Sequence, residues 1–133
     1  MPEIRSRPVT REALLAELSA FCAECSARGH TEATLSFGWD SELEFHEMWK
    51  PYELPISEAL HKVEEAEAQG LVRVGTADVL VSVASVELTL CHESDLHLKG
   101  EGSLFQAIAA RWEEAGLAPS EVTPSNFKWP GKG

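Results

Sequence analysis

Apolar residues recur along this chain with two different periods, and the switches between them divide it into elements. From Thr10 to Arg28 the stripe is Leu14, Leu18, Phe21 and Cys25, joined by Leu15 and Cys22. Offsets of 4, 7 and 11 fall on one face of a 3.6-residue repeat, which predicts an amphipathic helix with Thr10 as N-cap and Gly29 just past its end. From Glu32 to Trp39 the period drops to two. Ala33, Leu35, Phe37 and Trp39 alternate with Glu32, Thr34 and Ser36, the pattern of a half-buried strand.

The stretch from Asp40 to Pro55 is less regular. It allows a short strand around Leu43 to Phe45, followed by an aromatic loop carrying Trp49, Pro51, Tyr52 and Pro55. A second helix is expected from about Ser57 to Gln69, with Ser57 as N-cap, Gly70 as the stop, and a thin apolar stripe that suits a surface position. Four β-type runs follow: Leu71 to Val74, Val79 to Val83, Val86 to Cys91 and Leu96 to Leu98. A third helix is expected from Ser103, whose spacing to Gln106 is that of a capping box, with Leu104, Phe105, Ile108 and Trp112 as its stripe and Gly116 as its stop.

Strands grouped between helices argue for an α+β fold, with an antiparallel sheet of about four to five strands packed with three helices in the order α-β-α-β-β-β-α. No internal repeat or low-complexity run divides the chain, so residues 1–118 are expected to form a single domain. Residues 119–133, rich in Pro and Gly, form a tail that is either loose or docked as an extended segment.

Composition sharpens the functional picture mainly by exclusion. With 11 Lys and Arg against 22 Asp and Glu, the formal charge of -11 repels phosphate backbones and anionic lipid, so neither nucleic acid nor a membrane is an expected partner. A basic protein partner would be attracted by the same field. The N-terminal residues lack the apolar run of a signal peptide, and no stretch of about 18 apolar residues exists to span a bilayer. Three cysteines, two of them one helix turn apart, do not suit a disulfide framework. A cytoplasmic location is therefore expected.

Motifs for the common catalytic chemistries are absent: no GxSxG elbow, no GxxxxGK[ST] loop, no GxGxxG after a strand and no EF-hand loop. His46-Glu47 begins like a zinc-protease helix, but Lys50 stands where the second His belongs. Lys99-Gly-Glu-Gly-Ser103 leads into a helix N-terminus, yet Glu101 opposes an anion there. Cys22 and Cys25 share the apolar stripe and sit near the negative end of their helix dipole, so they read as packing thiols rather than a redox pair.

Two clusters remain. Asp40, Glu42, Glu44 and Glu47, bordered by Trp49 and Tyr52, combine charge with aromatic anchors, as at protein interfaces. They motivate the first expectation: a small, acidic, non-enzymatic protein-binding domain, in the manner of an intracellular inhibitor or immunity protein facing a basic partner. Self-association through exposed aromatics, giving a homo-oligomer, is a related possibility.

Cys91-His92-x-x-Asp95-x-His97 is the densest group of coordinating side chains and motivates the alternative, a metal-binding protein or metal-dependent enzyme. Period-two alternation sends Cys91, Asp95 and His97 to one sheet face if Leu88, Leu90, Leu96 and Leu98 face the core. Thiolate, carboxylate and imidazole together suit zinc. A composite Cys₃His set of Cys22, Cys25, Cys91 and His92 needs the first helix to pack beside the Cys91 turn.

Overall fold

A computed structural model of the chain describes residues 2–38 and 48–122. The elements run β1 (Glu3–Arg5), α1 (Arg11–Ala27), β2 (Glu32–Phe37), β3 (Tyr52–Pro55), a 3₁₀ turn (Ile56–Glu58), α2 (Ala59–Ala68), β4 (Val79–Val83), β5 (Val86–Leu90), β6 (Leu96–Lys99), α3 (Ser103–Glu114) and β7 (Ser120–Glu121). The fold is α+β. Its strands form one seven-stranded antiparallel sheet in the order β3-β2-β4-β5-β6-β1-β7.

Seven strands exceed the four or five expected. Tyr52–Pro55 pairs with β2 although flanking prolines made it read as a loop. Glu3–Arg5 pairs with β6 and Ser120–Glu121 with β1; at three and two residues, each is too short to carry a period. Ser120–Glu121 thus docks the start of the C-terminal tail as an edge strand.

One expected strand is absent. In the Leu71–Val74 segment the polar backbone groups are satisfied locally: the Leu71 amide donates to Ala66, the Val74 amide to the Glu67 carboxylate at 2.8 Å, and the Thr76 and Ala77 amides to the Arg73 carbonyl. With these donors closing a turn, the segment forms no ladder, only an isolated bridge from Val74 to Ala77.

The helix ends differ in how far the predicted caps form. At α1, the Thr10 hydroxyl accepts from the Ala13 amide as expected. At α3 the N-cap position is Gly102, with φ of 96°, and Ser103 is the first helical residue; its hydroxyl accepts from Arg28 rather than closing a capping box. At α2 a 3₁₀ turn replaces the Ser57 cap, with no side chain bonding the exposed amides.

Alternation gives the sheet two unlike faces. Ala33, Leu35 and Phe37 of β2, Val79, Val81 and Val83 of β4, Val86, Leu88 and Leu90 of β5, and Leu96 and Leu98 of β6 point to one side. They form one buried cluster with Leu14, Leu18, Phe21, Cys22 and Cys25 of α1, Val63 of α2, and Phe105, Ile108 and Trp112 of α3. Burying these large aliphatic and aromatic side chains, at roughly 1.5–3 kcal/mol each, is the main stabilising term. On that side Glu17, almost fully buried, accepts from Nε and Nη2 of Arg111 at 3.0 and 2.9 Å, tying α1 to α3.

The far face is polar. Pairing registers place Ser36, Leu80, Thr89, His97 and Arg5 in one row across it, and Thr34, Ser82, Glu87, Lys99 and Glu3 in the next. No helix among the described residues is long and apolar enough to cross a membrane.

Candidate metal centre

The candidate centre sits where the β5–β6 hairpin turns, on the far face. Leu90 ends β5 facing the core, so Cys91 projects to the opposite side; Asp95 precedes the inward Leu96, and His97 follows it. The turn is closed by the Cys91 amide donating to Asp95 at 2.8 Å and the Ser94 amide to Cys91 at 3.0 Å. Ser94 adopts a φ of 66°, which brings the chain round tightly.

The N-terminal segment then clamps this turn. The Val9 amide donates to the Ser94 carbonyl at 2.8 Å, the Ser94 hydroxyl returns a bond to the Val9 carbonyl at 2.6 Å, and the Leu96 amide donates to the Ser6 hydroxyl at 3.0 Å. Polar groups fixed this way keep their positions without a ligand.

The structure brings Cys91, Asp95 and His97 together: one donor atom from each lies within 4.8 Å of the other two. Cys91 and Asp95 are buried, at 8% and 6% exposure, and His97 is half-buried. His97 Nδ1 lies 3.0 Å from the Glu3 carboxylate. With the Nδ1 proton donated there, Nε2 presents its lone pair, and it faces Asp95 Oδ2 at 3.4 Å.

That pair does not meet in hydrogen-bond geometry. His97 Nε2 and Asp95 Oδ1 are both buried with no hydrogen-bond partner. Buried unpaired acceptors cost about 1–3 kcal/mol each, so Asp95 Oδ1 and, with the ring proton on Nδ1, His97 Nε2 each favour a positive partner.

A second triad shares the same sulfur. Asp78, Cys91 and His92 also offer three donor atoms within 4.8 Å of one another. Asp78 is buried; its Oδ1 accepts from the His92 amide at 2.7 Å and lies 2.8 Å from His92 Nδ1, while Cys91 Sγ lies 3.8 Å from that nitrogen. Burial pushes the Cys91 thiol up to about 12, with the Asp95 charge adding to the rise and a backbone bond from Glu93 opposing it.

Glu3 and Asp78 are the site residues that sequence reasoning missed. Asp78 precedes β4 and stands opposite Cys91, by extension of the Val79–Leu90 register, and Glu3 lies two strands away. Neither is near the cluster in sequence, and only the strand order reveals them.

Cys22 and Cys25 lie in the core on the helix side of the sheet. Among the described residues, neither joins a group of ligand atoms with Cys91 or His92, because the sheet separates them. Burial pushes their thiols up to about 11 and 12.

Of the expected partner-binding residues, Asp40, Glu42, Glu44 and Glu47 lie outside the described residues, as does the Leu43–Phe45 strand. Trp49 and Tyr52 are placed. Trp49, 41% exposed and the one large exposed apolar side chain among the described residues, fills the space a Cβ would take at Gly38, next to Asp78 in the sheet. Tyr52 is half-buried on β3, with the Lys62 ammonium 5.9 Å from its ring centre. No family model, curated protein or solved structure matches the chain.

Proposed function

We propose that this chain is a metal-binding domain in which Cys91, Asp95 and His97 hold one borderline divalent cation, zinc being the best fit. The observation that carries the reading is the pair of buried, unpartnered acceptors, Asp95 Oδ1 and His97 Nε2, beside the Cys91 sulfur. Ligands on one zinc stand about 3.3–3.6 Å apart at tetrahedral angles and normal bond lengths. The three side chains therefore need to close by up to about 1.5 Å.

Glu3 supports the reading independently. A ligating histidine usually donates its other ring N–H to a carboxylate, which fixes the tautomer and raises the basicity of the ligand nitrogen. Glu3 stands where that partner belongs. Three protein donors leave a fourth position for water or an exchangeable ligand, the pattern of reactive rather than purely structural zinc.

The test is zinc titration against a competing chromophoric chelator. Loss of one tightly held ion in His97→Ala supports the reading; equal binding in both proteins removes it. The protein-binding reading keeps one supporting observation, the exposed Trp49 indole. A partner captured by the wild-type chain and released by Trp49→Ala would favour it.

A further inference from the structure

We infer that the centre is dinuclear, with the Cys91 thiolate bridging a first ion on Asp95 and His97 and a second on Asp78 and His92. This rests on the mononuclear reading above and extends it to a second site.

Two donor triads that satisfy the same distance limit share one atom, Cys91 Sγ. The four remaining donors come from different sources around it. Asp95 and His97 belong to the β5–β6 turn and β6, Asp78 precedes β4, and His92 follows Cys91 as the chain leaves β5. A thiolate has three lone pairs and bridges two soft or borderline ions without a further ligand. Paired metals in such centres stand about 3.5–4 Å apart, a separation one shared sulfur can span.

Asp78 and His92 are already arranged as a ligand pair. The carboxylate is buried, 2.8 Å from the imidazole Nδ1, and anchored by the His92 amide. An ion entering here takes the place of the proton between Asp78 Oδ1 and His92 Nδ1, and the imidazole carries its proton on Nε2 instead. The thiol proton of Cys91 is lost to solvent once, when the first ion binds. Each ion then has three protein donors, one of them shared, with no side chain borrowed from the core.

The alternatives are weaker. The cavity of about 520 Å³ beside Asp95 is lined by Arg5 and Arg7 but also by Glu93 and Asp95, so its charge selects no ligand. The larger hollow at Arg11 and Arg73 holds Glu64 and Glu67, and Glu67 already occupies Arg11.

Native mass spectrometry of the full chain, titrated with zinc in the presence of a competing chelator, tests the inference. The expected result is two ions on the wild type, one on His92→Ala and none on Cys91→Ala. His92 is exposed, and Asp78 keeps the bond from the His92 backbone amide when the imidazole is removed; Asp78→Asn provides a second variant, expected to hold one ion. With cobalt(II) as the probe, a bridging thiolate couples the two spins, so the paramagnetic signal per ion falls between one and two equivalents.

One ion on both wild type and His92→Ala overturns the dinuclear assignment and leaves the first site standing. Two ions on both overturn it as well, because the second must then sit elsewhere. No ion on the wild type overturns both readings.

Discussion

The two faces of the sheet hold the same reactive group in opposite settings. On the helix side, Cys22 and Cys25 pack among Leu14, Leu18 and Phe21. On the far side, Cys91 meets two carboxylates and two imidazoles. Burial raises all three thiols to about 11 or 12, so burial does not distinguish them. The neighbours do. Apolar neighbours leave a thiol as a small hydrophobe, whereas donor atoms aimed at it, some with no partner of their own, make a place for a cation.

The comparison breaks first if the helix-side cysteines sit in anything but a packed core. Phe21→Ala, beside Cys22 and Cys25, is expected to cost about 3–5 kcal/mol of stability, because it opens a cavity among fully buried side chains. Denaturant melts check this, and a loss under about 1 kcal/mol would mean that the face is loosely packed.

On the far face, Glu3→Gln keeps the shape of the residue while weakening its hold on His97 Nδ1. The expected result is a 10–100-fold fall in zinc affinity with an unchanged melt. Unchanged affinity would show that Glu3 does not orient the ligand.

A smaller effect separates ordinary ion pairing from the centre. The Arg11 hydrogen bond is the main reason that Glu67 titrates below the usual carboxylate range, with the Val74 amide helping. A folded value below the unfolded one adds stability that is present above about pH 4.5 and is lost as pH falls through the folded value. Glu67→Ala is expected to cost about 1–3 kcal/mol at pH 7, leaving the buried Val74 amide unpaired, and less at acid pH below the folded value. An equal cost at both pH values would assign the effect to packing.

The smallest effect expected is on metal binding by the Cys22→Ala/Cys25→Ala double variant. It should bind zinc as the wild type does, since neither thiol reaches the centre.

The sequence showed much of this division and missed specific parts of it. The α1 stripe and its Thr10 cap, and the alternation through Val79–Leu90, were readable because their periods run for several repeats. Alternation also sent Cys91, Asp95 and His97 to one face. Glu3 and Asp78 were not readable, because their proximity depends on the strand order: β1 returns to pair with β6, and β4 lies beside β5. The Leu71–Val74 segment misled because its composition suits a strand while the Glu67 carboxylate captures its amide in a turn. Ser103 misled because capping-box spacing says nothing of Arg28, which takes its hydroxyl across the structure.

The most direct test is the zinc content of the wild type, His97→Ala and the Cys22→Ala/Cys25→Ala variant, measured together under a competing chelator. Tight, stoichiometric zinc on the wild type and the double variant, with one ion fewer on His97→Ala, is the predicted result. A zinc content unchanged in His97→Ala, or lost with Cys22 and Cys25, would contradict the assignment of the centre to the far face.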